Sequence, residues 1–178
     1  MAATAISNPF NAQKPYFECH RVGLELYESA SQRFQYDVVL EVTPAQLFDI
    51  FEDPASWPIW ANGIAKVEWT SPEPYGVGTT RTVTFVGGME VYEEFIAWEP
   101  GKEMAFIFNG ITQDVWWSFG EHYRVVDLGS GRCRLTWTVA FEPRGTFAKL
   151  QSVIRPAMWL ALHGYTRRLV KYCKAYGR

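Results

Sequence analysis

The sequence is poor in the residues that build disulfide frameworks and metal sites. Among its 178 residues are three cysteines and three histidines. Cys19, Cys133 and Cys173 are odd in number and far apart, which argues against a disulfide framework and predicts reduced thiols. The histidines never recur at a metal-ligand spacing. The sequence therefore predicts neither a metal nor a cofactor.

Long hydrophobic runs and an excess of positive charge are also missing. No stretch approaches the ~20 apolar residues of a membrane helix, and no basic start followed by an apolar run predicts a signal peptide. Seventeen Lys and Arg against nineteen Asp and Glu give a net charge of −2, which argues against nucleic acid as a partner. We expect a soluble, cytoplasmic protein without an integral membrane segment.

Aromatic residues, in contrast, are abundant. Phe, Tyr and Trp make up 16% of the chain, and charged residues only 20%, a balance that excludes wholesale disorder. Aromatic side chains at this density either fill a thick core or line a hollow one. The choice between a filled and a hollow core decides which function the fold can support.

The first residues differ from the rest of the chain. Residues 1–30 predict an N-terminal arm, and residues 31–178 predict a single domain. Small and polar residues dominate up to Pro15, which favours an extended conformation. Phe17–Tyr27 is more apolar and is expected to dock as a short helix or strand.

The domain begins with a strand and two helix-start signals. Gln35–Val42 predicts the strand. The Thr-Pro pair after it combines a good N-cap with a residue suited to the first helical position, and predicts a short helix over Pro44–Phe51. Asp53-Pro54 repeats this signal and predicts a second short helix that ends at Trp57-Pro58.

Alternating apolar and polar residues then predict six strands. Turn residues separate the strands, among them Gly87-Gly88 and Asn109-Gly110. The strands are expected at Ala65–Thr70, Thr79–Val86, Glu90–Glu99, Glu103–Phe108, Val115–Val126 and Arg132–Phe141.

The period returns to that of a helix near the C-terminus. An apolar stripe over Phe147–Lys174 predicts a long helix, which Pro156 is expected to kink or break. Basic residues near its C-terminus interact favourably with the negative end of the helix dipole. We therefore predict an α+β fold, with a seven-stranded curved antiparallel sheet around one long C-terminal helix and a gap between them.

Several short motifs accompany this order of elements over roughly residues 35–175. They are Pro44–Phe48, Asp53–Pro58, Gly76–Thr79, Glu93 or Glu94 before Trp98–Pro100, and Trp137–Phe141. With them the chain resembles the SRPBCC superfamily, which includes START lipid-transfer domains, birch-pollen-allergen-like plant proteins and the polyketide cyclase/dehydrase family. The resemblance implies a helix-grip fold with an internal cavity for a hydrophobic or aromatic ligand.

The resemblance does not carry over a catalytic mechanism. Members that fold and aromatise polyketides resemble this chain around Trp57-Pro58. They typically place a Tyr a few residues later and an Arg on the inner face of the fourth strand. The corresponding positions here are Ile64-Ala65 and Ile96–Trp98.

Three charged residues share strand faces with apolar residues and are our candidate catalytic groups: Arg81, Glu93 and Glu121. The face of the strand that holds Glu93 is ambiguous: either Glu93 and Phe95 face inward, or Tyr92, Ile96 and Trp98 do. A buried carboxylate would pair with a cation and have a raised pKa, as a general acid or base requires. The alternative is that each of them is solvated or purely structural, since a register slip of one residue reverses every assignment.

Apolar and aromatic residues expected on the same inner surface are the candidate ligand-binding residues. They are Trp69, Val83, Phe85, Tyr92, Phe95, Trp98, Phe106, Trp117, Phe119, Tyr123, Val139, Phe141, Ile154, Met158 and Tyr165.

Three functions fit these expectations. The favoured one is a carrier or sensor that holds a hydrophobic small molecule such as a lipid, quinone or polyketide-like aromatic. The alternative is a cofactor-independent polyketide cyclase or dehydratase that uses the inward Arg, Glu and Tyr side chains. The third is an interaction protein whose cavity is filled by Trp side chains.

Overall fold

A computed structural model describes residues 5–177. The first four residues of the expected arm, and Arg178, lie outside the described residues. Along the chain the elements are β1 Phe17–Glu18, α1 Leu26–Ser29, β2 Gln32–Leu40, α2 Pro44–Glu52, α3 Trp57–Trp60, β3 Ile64–Trp69, β4 Thr80–Phe85, β5 Glu90–Glu99, β6 Glu103–Ile111, β7 Trp116–Gly129, β8 Arg132–Pro143, α4 Gly145–Lys149 and α5 Gln151–Tyr176.

Seven of the strands form a curled antiparallel sheet in the order β2-β8-β7-β6-β5-β4-β3. Strands β3 to β8 follow one another as neighbours, and β2 pairs with β8 at the far edge. Helix α5 packs against β2 and α3 across the curled sheet. The predicted α+β helix-grip fold is confirmed. No helix between residues 5 and 177 is both long and apolar enough to cross a membrane.

Helix α2 forms where its start signal predicts. The Thr43 hydroxyl accepts a hydrogen bond from the Gln46 backbone N–H at 3.2 Å, and the Gln46 side chain accepts one from the Thr43 N–H at 2.9 Å. These two bonds satisfy donors that every helix start leaves open. Leu47 and Phe51 are completely buried, so the capped helix closes one end of the core.

Two helix boundaries differ from the sequence expectation. Helix α3 begins at Trp57, the position where a second helix was expected to end. Helix α5 runs without interruption through Pro156, and the break comes earlier, at Leu150. Pro156 removes the N–H that would bond to the carbonyl of Ser152, but Ser152 is exposed, so this carbonyl can bond to solvent and the helix continues.

The expected turn at Asn109-Gly110 lies inside β6 instead. Strands β6 and β7 pair only as far as Ile107 and Gly120, and beyond that point they separate. Strand β1 pairs with the free edge of β6. The Cys19 N–H then donates to the Asn109 carbonyl and the His20 N–H to the Trp117 carbonyl. The N-terminal segment thus closes a gap in the sheet, and this added strand keeps Asn109-Gly110 extended.

Small residues on the convex face of the sheet receive the N-terminal segment. A Cβ atom on Gly110 would lie 2.1 Å from the Tyr16 ring, and one on Gly120 would lie 2.8 Å from the Tyr27 hydroxyl. Leu26 and Tyr27 of α1 pack with Ala105 and Ala140 as a second, smaller core. This part of the convex face is therefore covered by the N-terminal segment, and the concave face is left to α5.

Candidate ligand-binding cavity

A cavity of about 290 Å³ lies between the concave face of the sheet and α5. At ~30 Å³ each, this is room for roughly ten water molecules. The partly exposed lining residues Ile64 and Phe85 lie on one side of its mouth, and Ile154 and Met158 of α5 on the other. Of the two expected arrangements of the aromatic side chains, a hollow core therefore describes the structure better than a filled core.

Aromatic rings make most of the wall. Phe108 and Phe119 stack across the separated ends of β6 and β7 with their centroids 4.3 Å apart. Trp116 packs against Phe119 at 4.6 Å, and Tyr165 of α5 stacks over Trp137 at 6.5 Å. Such a wall offers flat, apolar surfaces to a ligand with rings.

A buried ion pair stands in this apolar wall. Arg81 of β4 and Glu93 of β5 are register partners on neighbouring strands, and they are 2% and 4% exposed. The Arg81 Nε–H donates to Glu93 Oε2. Burial raises the pKa of Glu93, and the guanidinium of Arg81 opposes this rise. The pair is therefore mutually dependent, because either charge alone would be buried without compensation.

Arg81 is also surrounded by aromatic rings. Its Cζ lies 4.2 Å from the ring centroid of Trp57 and 4.8 Å from that of Phe106. Trp57 in turn packs against Trp60 at 4.7 Å. Arg81 Nη1 and Trp60 Nε1 form no hydrogen bond within the described part of the chain. Both belong to residues that line the cavity, so two buried donor groups without a hydrogen-bond partner among the described residues lie at this end of it.

Glu121 is the second carboxylate of the cavity. Its Oε2 accepts hydrogen bonds from the Tyr123 hydroxyl and, at 2.9 Å, from Trp137 Nε1. Burial raises the pKa of Glu121 to about 7; the bonds from Tyr123 and Trp137 oppose that shift, and the charge of Glu93 adds to it. Near neutral pH this carboxyl group can therefore both give and accept a proton.

The structure brings the three candidate catalytic residues, Arg81, Glu93 and Glu121, to the wall of one cavity. Eight of the candidate ligand-binding residues line the same cavity. They are Val83, Phe85, Phe106, Phe119, Tyr123, Ile154, Met158 and Tyr165.

Five of the other candidates are core residues that do not border the cavity. Phe95 packs between Trp98 and Phe106, and Trp69 stacks on Tyr75. They form the packed layer next to Arg81. On β8, Val139 and Phe141 are fully buried. Neither residue borders the cavity, and Phe141 packs against Phe119 with their ring centroids 5.7 Å apart.

Tyr92 and Trp117 were expected inside and lie on the convex face. The Tyr92 hydroxyl donates to Glu90 at 2.8 Å, and Phe10 of the N-terminal segment stacks on its ring at 4.4 Å. Trp117 is 49% exposed and stacks on His20. The N-terminal segment buries or covers both rings, so their apolar character reflects this segment and not a ligand.

A bulge explains why the face of β5 was ambiguous. The register shifts between Phe95 and Ala97. Glu93 and Phe95 lie on the inner face before the shift, and Trp98 lies on the inner face after it, packed against Phe48. Both alternatives were therefore partly right, since a bulge reverses the alternation along the strand.

Several lining residues were not among the candidates. Trp57, Trp60, Phe108, Trp116, Trp137 and Phe147 all border the cavity. Their aromatic character was visible in the sequence, but Trp57, Trp60 and Phe147 lie on the short helices α3 and α4, where strand alternation predicts no face.

Other polar groups offer less chemistry. His122 Nε2 lies 2.6 Å from Glu103 Oε1 at the outer surface, and burial lowers the pKa of His122. Among residues 5–177 no three His, Cys, Asp or Glu side chains are grouped as metal ligands would be.

The comparisons with known proteins agree with this architecture. Residues 31–174 match the family described as polyketide cyclase / dehydrase and lipid transport. An uncharacterized protein of Mycobacterium tuberculosis is 46% identical over 159 residues, which cover 89% of this chain and 95% of that protein.

Solved structures with low sequence identity share the fold. An aromatase/cyclase of a Streptomyces species superposes with a TM-score of 0.69 at 11% identity, covering 83% of this chain and 96% of that one. A START superfamily protein of Mycobacterium smegmatis gives a TM-score of 0.56 at 14% identity, covering 77% and 98%. The resemblance to the SRPBCC superfamily is thus confirmed, and the chain belongs to the polyketide cyclase/dehydrase and lipid transport family.

Proposed function

We propose that the protein binds a small aromatic molecule bearing a carbonyl or similar acceptor oxygen in the cavity under α5. One observation carries the proposal: a wall of aromatic rings that also holds two buried donors, Arg81 Nη1 and Trp60 Nε1, which form no hydrogen bond among residues 5–177. An unpaired buried donor is costly. A ligand oxygen that accepts from either group removes this cost.

The apolar wall supplies most of the affinity. Two ligand rings that bury roughly 300 Å² contribute about 7 kcal/mol at 25 cal/mol per Å², which corresponds to micromolar-class binding. A hydrogen bond from a charged donor adds about 1.5–3 kcal/mol. We therefore expect the acceptor oxygen to discriminate among ligands of equal shape by about tenfold to a hundredfold.

A titration with a fluorescent hydrophobic probe, anilinonaphthalene sulfonate, tests whether the cavity accepts a guest. The full-length protein should show saturable binding. Val83→Phe places a ring in the cavity and should abolish it, because Val83 is buried and lines the wall. Thr84→Phe, the next residue on the opposite face of β4, is the control and should leave binding intact. Binding that survives in the Val83 variant contradicts the proposed site.

Displacement of the probe tests the acceptor group. 2-Acetylnaphthalene and 2-ethylnaphthalene have nearly the same shape, but only the ketone accepts a hydrogen bond. The ketone should bind more tightly, and Trp60→Phe should reduce its advantage while leaving the hydrocarbon unchanged. Equal affinities of the two compounds would show that the donors are not used.

A second function, acid–base catalysis, is favoured by Glu121. Its carboxylate can remove a proton from the carbon between two ketones; the C–H electron pair moves into an enolate, whose oxygen accepts from Arg81. Return of the proton from Glu121 completes the exchange. With a pKa of about 7, the group suits both directions near neutral pH.

Exchange of this proton for deuterium, followed by NMR on a cyclic 1,3-diketone in deuterated water, measures this step. The protein should accelerate exchange, and Glu121→Gln should remove the acceleration without loss of diketone binding. Unchanged acceleration in the variant excludes Glu121 as the base.

We also propose a cytoplasmic location. The three cysteines are buried free thiols, the state that a reducing compartment maintains.

A further inference from the structure

Charge is distributed very unevenly along the chain. Residues 143–178 contain eight basic residues and no acidic one, whereas residues 1–142 contain nine basic and nineteen acidic residues. Most of the last segment is α5. The protein as a whole is slightly acidic, yet this helix forms a strongly positive pole that can orient it toward a negative surface.

The basic residues of the second half of α5 are available to such a surface. Arg167, Arg168 and Lys171 are exposed and form no ion pair within residues 5–177. Lys174 has only a 3.8 Å contact with Glu41. Their charges are therefore not neutralised inside the molecule.

The first half of the same helix exposes apolar residues. Val153 is 71% exposed, Leu160 64% and Trp159 51%. Val153, Leu160 and Arg167 follow one another at intervals of seven residues, which is about two helical turns. The three side chains therefore lie nearly in line along one side of α5. The outward face of α5 thus changes from apolar to basic along its length.

The apolar half of this face borders the mouth of the cavity. Val153 is followed by Ile154, which lines the cavity, and Leu160 is followed by Ala161, which also lines it. Across the mouth, Val86 is 74% exposed directly after the lining residue Phe85. Exposed apolar surface and cavity entrance therefore form one region.

We propose that the docking face, formed by Val153, Trp159, Leu160 and the four basic residues Arg167, Arg168, Lys171 and Lys174, binds an anionic lipid membrane with the cavity mouth toward the lipid. A helix with Trp and Leu beside Lys and Arg suits the interface between headgroups and acyl chains. Each basic residue near an anionic surface strengthens binding about fivefold. This inference does not depend on which molecule the cavity holds.

The other occupants of such a face fit less well. A second copy of the chain, docked symmetrically through α5, would place the basic half of each helix against either the basic or the apolar half of its partner, and neither half supplies negative charge. A nucleic acid would neutralise the basic residues but leave Val153 and Leu160 exposed to water. An anionic lipid membrane suits both halves of the docking face, because its headgroups pair with the basic residues and its acyl chains accept the apolar ones.

Flotation of the full-length protein with vesicles tests the proposal. Phosphatidylcholine vesicles containing phosphatidylglycerol should bind the protein, and pure phosphatidylcholine vesicles should bind it much more weakly. Added salt should reduce binding. The triple variant Arg167→Gln, Arg168→Gln and Lys171→Gln neutralises three basic residues of the docking face. It should weaken partitioning of the protein onto anionic vesicles on the order of a hundredfold.

Matched variants separate the docking face from overall charge and from the cavity. A control with the same change of net charge, Lys66→Gln, Lys102→Gln and Arg132→Gln, removes exposed basic residues outside α5 and should bind vesicles nearly as the parent does. Leu160→Ser removes apolar surface without changing the net charge and should also weaken binding to vesicles. Val83→Phe, which closes the cavity to the fluorescent probe, should leave vesicle binding intact.

Three results would overturn the proposal. The first is the absence of binding to anionic vesicles at low salt by the folded protein. The second is equal loss of vesicle binding in the α5 variant and its charge-matched control. The third is a dimer, seen by light scattering, that the α5 variant dissociates, since the face would then belong to a second copy of the chain.

Discussion

Replacement of Glu121 by Gln should change how stability depends on pH. The amide has the shape of the protonated carboxyl group, and its oxygen can still accept from the Tyr123 hydroxyl and Trp137 Nε1. What the variant removes is the negative charge that the parent must hold in an apolar wall. The two proteins should therefore differ only where the parent carries that charge.

The sign and size of the effect follow from the shifted pKa of Glu121. Burial raises it from 4.5 to about 7, so between these values the folded state holds a proton that the unfolded state has released. The free energy of unfolding then falls as pH rises. The full loss, at about 1.4 kcal/mol per pKa unit, is on the order of 3 kcal/mol and is complete above the folded pKa.

Urea unfolding followed by Trp fluorescence at several pH values between about 5 and 8 measures this difference. Parent and variant should be equally stable at the acidic end, and the variant should be more stable at the alkaline end. Other titrating groups, including His122, act in both proteins and cancel in the difference. Glu28→Gln, at an exposed carboxylate, is the control. A difference that stays constant across this range would refute the buried-charge reasoning.

Two further predictions concern packing and the ion pair. Gly110→Ala should cost about 1–3 kcal/mol and speed amide exchange in the N-terminal segment, because its Cβ would meet the Tyr16 ring at 2.1 Å; Gly76→Ala, with no neighbour within 4 Å, should cost little. Arg81→Met should cost about 3–5 kcal/mol in urea unfolding, and adding Glu93→Met should recover most of it. Equal costs for the two glycine changes, or a double variant no more stable than Arg81→Met, would contradict these assignments.

The sequence was informative wherever one local signal decided the structure. Thr43 and Pro44 placed α2 correctly because a helix start depends on nearby hydrogen bonds and a fixed backbone angle. Alternation on β4 and β7 correctly put Arg81 and Glu121 on the inner face, because successive side chains of a strand point to opposite faces of the sheet.

Signals that depend on distant partners could not be read in this way. Asn109-Gly110 has the chemistry of a turn, but β1 pairs with it and holds it extended. Tyr92 resembles a core residue and is one, although its partners are Asn8 and Phe10 on the convex side. The bulge in β5 depends on pairing with β6, which no window of β5 alone contains.

The N-terminal segment has a practical consequence for work on related proteins. The family match starts at residue 31, and a fragment cut at that boundary would retain every residue that lines the cavity. It would also lack β1, which fills the space between the diverging ends of β6 and β7, and it would expose the glycine and alanine residues that the N-terminal segment covers. Unsaturated strand edges recruit other chains, so such a fragment should precipitate even with its binding chamber intact. Expression boundaries in this family are therefore better set upstream of the recognised homology.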